Sequence, residues 1–290
     1  MNYRHAYHAG NFADVVKHVI LTRIVEYLKR KDQAFRVIDT HAGIGLYDLK
    51  SVEADKTGEW QGGIVRVIEA AENGAIEQTA LDLLAPYLDA VRAVNTGTRL
   101  RHYPGSPCVV RHLLRKQDRL SALELHPQDA AKLGKRFEGD YQVRVIELDG
   151  WLALGAHLPP KEKRGLVLVD PPFEKEGEFD RLVDGLIKAH KRFSGGTYAL
   201  WYPIKDRRET ERFAKRLRES GIPKIMQIDV AIRGASSEPR LDGTGMIVVN
   251  PPYTLESEMQ SLLPCLTKLL ASDEGANYSV RWIRDEADRT

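Results

Sequence analysis

The sequence predicts an α/β fold, a mainly parallel sheet with helices on both faces, and three observations carry that expectation. Short runs rich in valine, isoleucine and leucine alternate with longer amphipathic stretches, the pattern of strands covered on both sides by crossover helices. Four runs end in an acid, two of them followed directly by glycine or proline, as strands do where their carboxyl ends open on a ligand crevice. The 290 residues are 42% apolar and 29% charged, which suffices for a large folded core.

Residues 11–28 carry Val15, Val19, Ile20, Ile24 and Leu28 at helical spacing, with Asp14 in the first turn and Lys29, Arg30 and Lys31 behind the last. This predicts a leading helix packed on the sheet. Strands are expected at 35–39, 120–124, 143–149, 166–170, 197–201, 224–231 and 245–250. About eighty residues separate the first two, far more than a crossover requires. Segment 50–101 therefore reads as an inserted helical subdomain, with helices at 60–71 and 78–95, and the main domain as 1–49 joined to 102–290. At the far end of the insertion, Tyr103-Pro-Gly-Ser-Pro107 reads as a turn in which Ser106 caps the next helix and Pro107 takes its first position.

Composition narrows the function classes. The amino end has no basic stretch leading into an apolar core, and no segment runs eighteen apolar residues without a charge, so a soluble cytoplasmic protein without a membrane role is expected. Cys108 and Cys265 stand far apart, and His5, His8 and His18 have no companion cysteine or carboxylate cluster. No disulfide framework and no metal site are expected. A net charge of +2 permits a nucleic-acid partner without demanding one. Basic runs at 161–164, 190–192, 207–208 and 212–218 could meet phosphate, and they also read as solvated helix faces.

The chemistry is concentrated at strand ends. The first strand closes on Asp39, followed by Thr-His-Ala-Gly43-Ile-Gly45; glycine there lets a ligand approach the backbone. The run lacks the Gly-Lys-Ser/Thr of a triphosphate loop, so an adenosine-type ligand fits it better. Glu124 at the next strand end suits ribose hydroxyls, and Asp149, before Gly150, suits an adenine amino group. The fourth strand runs into Asp170-Pro171-Pro172-Phe173. Prolines end the ladder and fix neighbouring carbonyls as rigid acceptors. A base amino group, whose lone pair is delocalised, gains nucleophilicity when its protons bond the Asp170 carboxylate and the Pro171 carbonyl. Phe173 would stack on the extruded base, and the methyl group would come from a cofactor sulfonium. A second copy, Asn250-Pro-Pro-Tyr253, follows a later strand and reads as a structural turn, because strand order favours Asp170.

These residues resemble the RlmJ family of bacterial 23S ribosomal RNA adenine-N6 methyltransferases. The resemblance rests on Tyr3-Arg-His-Ala-Tyr-His-Ala-Gly-Asn11, Asp14-Val-Val-Lys-His18, Asp39-Thr-His-Ala-Gly43, Tyr103-Pro-Gly-Ser-Pro107, Glu124-Leu-His-Pro127, Asp149-Gly150, Asp170-Pro-Pro-Phe173, Ala199-Leu-Trp-Tyr-Pro203 and Gly245-Met-Ile-Val-Val-Asn-Pro-Pro252. It implies a Rossmann-like class I methyltransferase sheet with a small helical insertion, S-adenosyl-L-methionine as cofactor, and 23S rRNA as the partner, with no obligate protein partner. It implies cofactor contacts at His18, His41, Ser106, Glu124, Asp149, Gly150 and Asp170, beside the Gly43 contact expected from the glycine turn, a proton-accepting role for Asp170, and an RNA contact at Tyr3. Phe173 stands where a tyrosine is expected, which leaves stacking intact and removes any role for a phenolic hydroxyl. The competing readings are a DNA adenine-N6 methyltransferase, a protein amide methyltransferase working through Asn250, and a DNA-binding protein concerned with use of external DNA.

Overall fold

The computed structural model describes residues 5–97, 99–236 and 240–285. In chain order the elements are α1 (Phe12–Lys29), β1 (Arg36–Asp39), β2 (Leu46–Asp48), α2 (Val52–Thr57), α3 (Ile64–Glu72), α4 (Gln78–Ala93), β3 (His102–Pro104), α5 (Ser106–Leu113), β4 (Arg119–Glu124), α6 (Pro127–Arg136), β5 (Val143–Glu147), α7 (Gly150–Ala156), β6 (Gly165–Val169), α8 (Glu178–Arg192), β7 (Thr197–Ile204), α9 (Arg207–Glu219), β8 (Ile225–Ala231), β9 (Gly243–Val249), α10 (Leu255–Leu270) and β10 (Asn277–Arg284). Among the described residues no helix is long and apolar enough to cross a membrane.

Eight strands form one sheet in the order β10-β8-β9-β7-β6-β1-β4-β5. The five strands from β7 to β5 are mutually parallel, whereas β9 runs against β7 and β8, and β10 against β8. From β1 the chain steps outward through β4 and β5, then returns to the other side of β1 as β6. That reversal opens a crevice at the carboxyl ends of β1, β4 and β6. Side chains of β6 alternate as period-2 geometry requires. Leu166 and Leu168 join a layer with α1, α3, α4, α5 and α10, while Val167 and Val169 join α7, α8 and α9 on the opposite face.

All seven expected strands are present, as is the leading helix, whose amino end is capped by the Asn11 side chain accepting from Asp14 N at 3.0 Å. Two expectations need correction or extension. The helix after Tyr103 begins at Ser106 itself, with Gly105 at the cap. The Ser106 hydroxyl instead turns toward the Asp39 carboxyl. Beyond the expected strands lie β10 and the two-stranded β2–β3 ladder. β10 is a half-exposed edge strand with no continuous apolar run, so periodicity alone does not reveal it.

The two diproline motifs end on opposite edges of the sheet. β6 and β7 are parallel with Val169 opposite Leu200, so Asp170 lies level with Trp201. β9 is antiparallel to β7 with Val249 opposite Tyr198, so Asn250 emerges at the other end of β7. There both Nδ2 protons of Asn250 are used, donated to the carbonyls of Ser194 and Gly196 at 2.8 Å each. Its φ of 50° is a left-handed conformation that asparagine tolerates better than other non-glycine residues. Asn250→Ala is expected to lower the unfolding free energy by about 2 kcal/mol, measured as a fall of about 5 °C in Tm. An unchanged Tm would mean that this turn carries no structural load.

Candidate active site

A cavity of about 460 Å³ occupies the crevice and is walled by residues from every strand end around the reversal, a size that suits a nucleoside-like ligand. The structure brings His18, His41, Gly43, Ser106, Glu124, Asp149, Gly150, Asp170, Pro171 and Pro172 to its wall. Tyr3 lies outside the described residues. Phe173 stands next to the cavity, and its ring packs edge-on against Phe179 and Trp201 at centroid distances of 5.0 and 5.7 Å. Its φ of 50° puts a bulky aromatic residue in the left-handed region, a strained backbone of the kind held only where the surroundings over-determine it.

The carboxylates are fixed by backbone donors. Glu124 accepts from Gly43 N at 2.9 Å through one oxygen and from His126 N at 2.8 Å through the other, which ties the end of β4 to the turn after β1. Gly43 itself has φ 61°, and a Cβ there would fall 2.3 Å from the Tyr47 hydroxyl. Asp149 caps α7 by accepting from Trp151 N at 3.0 Å. Gly150, next in sequence, passes so close to β1 that a Cβ would meet the Thr40 carbonyl at 2.0 Å. Behind this wall His41 meets the edge of Trp151 at 5.6 Å, and Arg181 covers the same indole at 4.6 Å.

The residue that sequence reasoning missed is Lys17. It is 3% exposed, and its Nζ lies 2.8 Å from Asp14 Oδ1 and 2.5 Å from Asp170 Oδ2. Burial disfavours its charge, but the two carboxylates outweigh burial and raise its pKa above the ordinary lysine value. Asp14 also accepts from Gly10 N and from His5 Nε2, each at 2.9 Å. Burial works against the Asp14 carboxylate, but His5 and Lys17 hold its pKa well below the usual range. The signal available in the sequence was a single lysine on the helix face that otherwise carries Ala13, Ile20, Leu21 and Ile24, a place where an unpaired ammonium is not stable. Asp39 is fully buried at the base of the same group, and burial, with the nearby Asp170 charge adding to it, pushes its pKa up to about 7.

The cavity suits a cofactor with an adenosine half and a positively charged sulfur. Glu124, Asp149 and Asp170 supply acceptors and negative charge around it. His18 donates to or accepts from the Tyr103 hydroxyl through Nδ1 at 2.8 Å, while its buried Nε2 has no hydrogen-bond partner among the described residues. A buried polar atom left this way costs about 1–3 kcal/mol, and a bound ligand can satisfy it.

The family model described as "Ribosomal RNA large subunit methyltransferase D, RlmJ" matches residues 32–284. The chain is similar to ribosomal RNA large subunit methyltransferase J of Haemophilus influenzae, 43% identical over 99% of this chain and 100% of that protein. It is similar to the Escherichia coli protein of the same name, 42% identical over 99% and 100%. Its fold is similar to the crystal structure of a Legionella pneumophila protein, with a TM-score of 0.85 and 36% identity over 94% of this chain and 98% of that one.

The buried groups around the cavity set a pH dependence. Burial lowers the pKa of His18 from 6.5 to about 3 and that of His41 to about 4. Stability from both is fully present above 6.5 and is lost as pH falls through those folded values. Asp39 has the opposite sign: its contribution is full below 3.8 and is lost as pH rises through about 7. Denaturant titration should therefore show the wild-type minus His18→Gln difference shrinking by about 1.4 kcal/mol per pH unit on going from pH about 6 to about 4. The wild-type minus Asp39→Asn difference should shrink in the reverse direction, from pH about 4 to about 7. Flat differences in both would contradict these environments.

Proposed function

The chain belongs to the ribosomal RNA large subunit methyltransferase family described as RlmJ, and from that premise we propose that it transfers a methyl group from S-adenosyl-L-methionine to N6 of one adenine in 23S rRNA. The observation that carries this reading is the Asp170 carboxylate, held by a buried ammonium at the cavity wall and followed directly by two rigid prolines. The family's description as ribosomal RNA methyltransferases leaves the DNA readings without support, and Asn250 has its side chain committed to backbone carbonyls on the far edge of the sheet.

Bound S-adenosyl-L-methionine supplies an electrophilic methyl group on a sulfonium sulfur. Glu124 and Asp149 would hold the ribose hydroxyls and the adenine amino group, with Gly43 and Gly150 allowing close approach and His18, His41 and Ser106 lining the remainder. The target adenine leaves its stack and rests against Phe173. Its amino protons bond the Asp170 carboxylate and the Pro171 carbonyl, which orients the nitrogen lone pair at the methyl carbon. As the new carbon–nitrogen bond would form, the methyl–sulfur bond would break and its electron pair stay with the sulfur as a neutral thioether, while the excess proton on nitrogen passes to Asp170. Lys17, 2.5 Å from Asp170 Oδ2, fixes that carboxylate in direction. Segment 50–101 is read as an inserted subdomain, supported by the β2–β3 ladder, in which Leu46 faces Pro104 and Asp48 faces His102 where the chain leaves and returns. Its helices α3 and α4 pack on α1 and α10 in one continuous layer.

Wild-type protein should incorporate labelled methyl into protein-free 23S rRNA, and digestion should place the label in N6-methyladenosine. Asp170→Ala should lower the rate about a thousandfold or more. Phe173→Ala should lower it about ten- to a hundredfold, while Phe173→Tyr keeps most of it. Equal labelling by wild type and Asp170→Ala, or label confined to DNA, would contradict the reading.

A further inference from the structure

One arginine in each of three basic runs is bonded internally. The Arg164 guanidinium donates to the carbonyls of Gln33 and Leu28, at 2.8 and 2.5 Å. Arg192 donates to the Leu158 carbonyl at 3.2 Å, and Arg216 bridges Asp180 and Asp184. One group differs. Lys205, Arg207 and Arg208 are exposed and make no ion pair among the described residues, and with Arg233, which donates through Nη2 to Ser272 Oγ at 3.2 Å, they surround a second cavity of about 340 Å³. The two acids at its rim are already engaged. Asp206 accepts from Arg208 N at 2.8 Å. Asp242 accepts from Ser236 N, Ser236 Oγ and Arg240 Nε at 2.8, 2.6 and 3.1 Å. Arg207 and Arg208 also occupy the first turn of α9, where the helix dipole disfavours cations. Helix stability does not explain their placement.

The position of this cavity fits a substrate strand. It opens at Ile204 on the same edge of the sheet as Asp170, three residues beyond Trp201, which packs against Phe173. Three residues of extended strand span about 10 Å, so the cations stand beside the aromatic surface on which the target base would rest, where the flanking nucleotides must pass. Converging arginine and lysine side chains on an open concave surface suit phosphodiester oxygens.

We propose that the basic cavity formed by Lys205, Arg207, Arg208 and Arg233 holds the phosphodiester backbone of the single RNA strand flanking the methylated nucleotide. The proposal rests on the RNA methyltransferase reading and names the part of the surface that grips the substrate outside the chemical site. The four cations lie away from the cofactor cavity, so their loss weakens RNA capture without touching the reacting groups.

The test compares wild type with the triple variant Lys205→Ala, Arg207→Ala, Arg208→Ala. Two quantities are read for each: methyl-transfer kinetics on protein-free 23S rRNA, and filter binding of the same RNA across a potassium chloride series. The expected result is a KM for RNA raised about tenfold, with kcat and cofactor affinity unchanged. The slope of log Kd against log salt should be shallower by about 2, since each single-strand phosphate contact contributes about 0.7. An unchanged KM and slope would overturn the proposal while the enzyme reading stands. If wild type transfers no methyl to RNA, the enzyme reading fails separately, and equal RNA binding by wild type and variant would still overturn the cavity's role. Should the triple variant lose cofactor binding, the single exposed change Lys205→Glu is expected to shift RNA binding in the same direction, and no shift would overturn the proposal.

Discussion

A buried ammonium between two carboxylates is the constraint on which the rest of this structure hangs. Lys17 sits in the interior of α1 with Asp14 on one side and Asp170 on the other, where an isolated charge would be strongly disfavoured. The arrangement is tolerable because the acids flank the cation and are themselves hydrogen-bonded: Asp14 takes the Gly10 amide and the His5 ring as well. One charge therefore joins the turn ahead of the leading helix, that helix, and the end of β6. Removing the ammonium would leave two carboxylates facing each other at a largely buried site, a loss of the kind that exceeds what the pair itself contributes to stability.

From that anchor the division of labour along the sheet follows. The reversal of strand order beside β1 places Glu124, Asp149 and Asp170 around one crevice. The antiparallel insertion of β9 sends the second diproline motif to the opposite edge. The two motifs share a left-handed residue, Phe173 in one and Asn250 in the other, both with φ of 50°, yet the strain serves different ends. Asn250 uses its side chain to tie down neighbouring backbone, whereas Phe173 has no polar group to spend, and its conformation aims an aromatic ring beside the cavity.

The repeating features of this fold were legible in the sequence because they are periodic. Seven strands, the leading helix and helices α3 and α4 follow from apolar spacing, and the acids that close β1, β4 and β5 mark the crevice. What was not legible depends on pairing in space. Lys17 reads as one more helical lysine until Asp170, 153 residues away, is seen beside it. Ser106 looks like a helix cap in the chain and turns toward Asp39 in three dimensions. β10 escapes because a half-solvated edge strand carries no continuous apolar run. The basic runs look alike until Arg164, Arg192 and Arg216 are found to be internally bonded. The cofactor contact expected at His18 rests only on family resemblance, since its position on α1 is equally that of a packing histidine.

The central claim is that the Lys17–Asp170 pair acts as a unit in presenting the carboxylate to the base. It is tested most directly by a double-mutant cycle, with Lys17→Met, Asp170→Asn and the double variant compared by single-turnover methyl transfer to 23S rRNA. The account predicts strong non-additivity, with the double variant no slower than Asp170→Asn alone, because the ammonium serves only through the carboxylate it holds. Additive losses would contradict it and would show that Lys17 acts independently of Asp170.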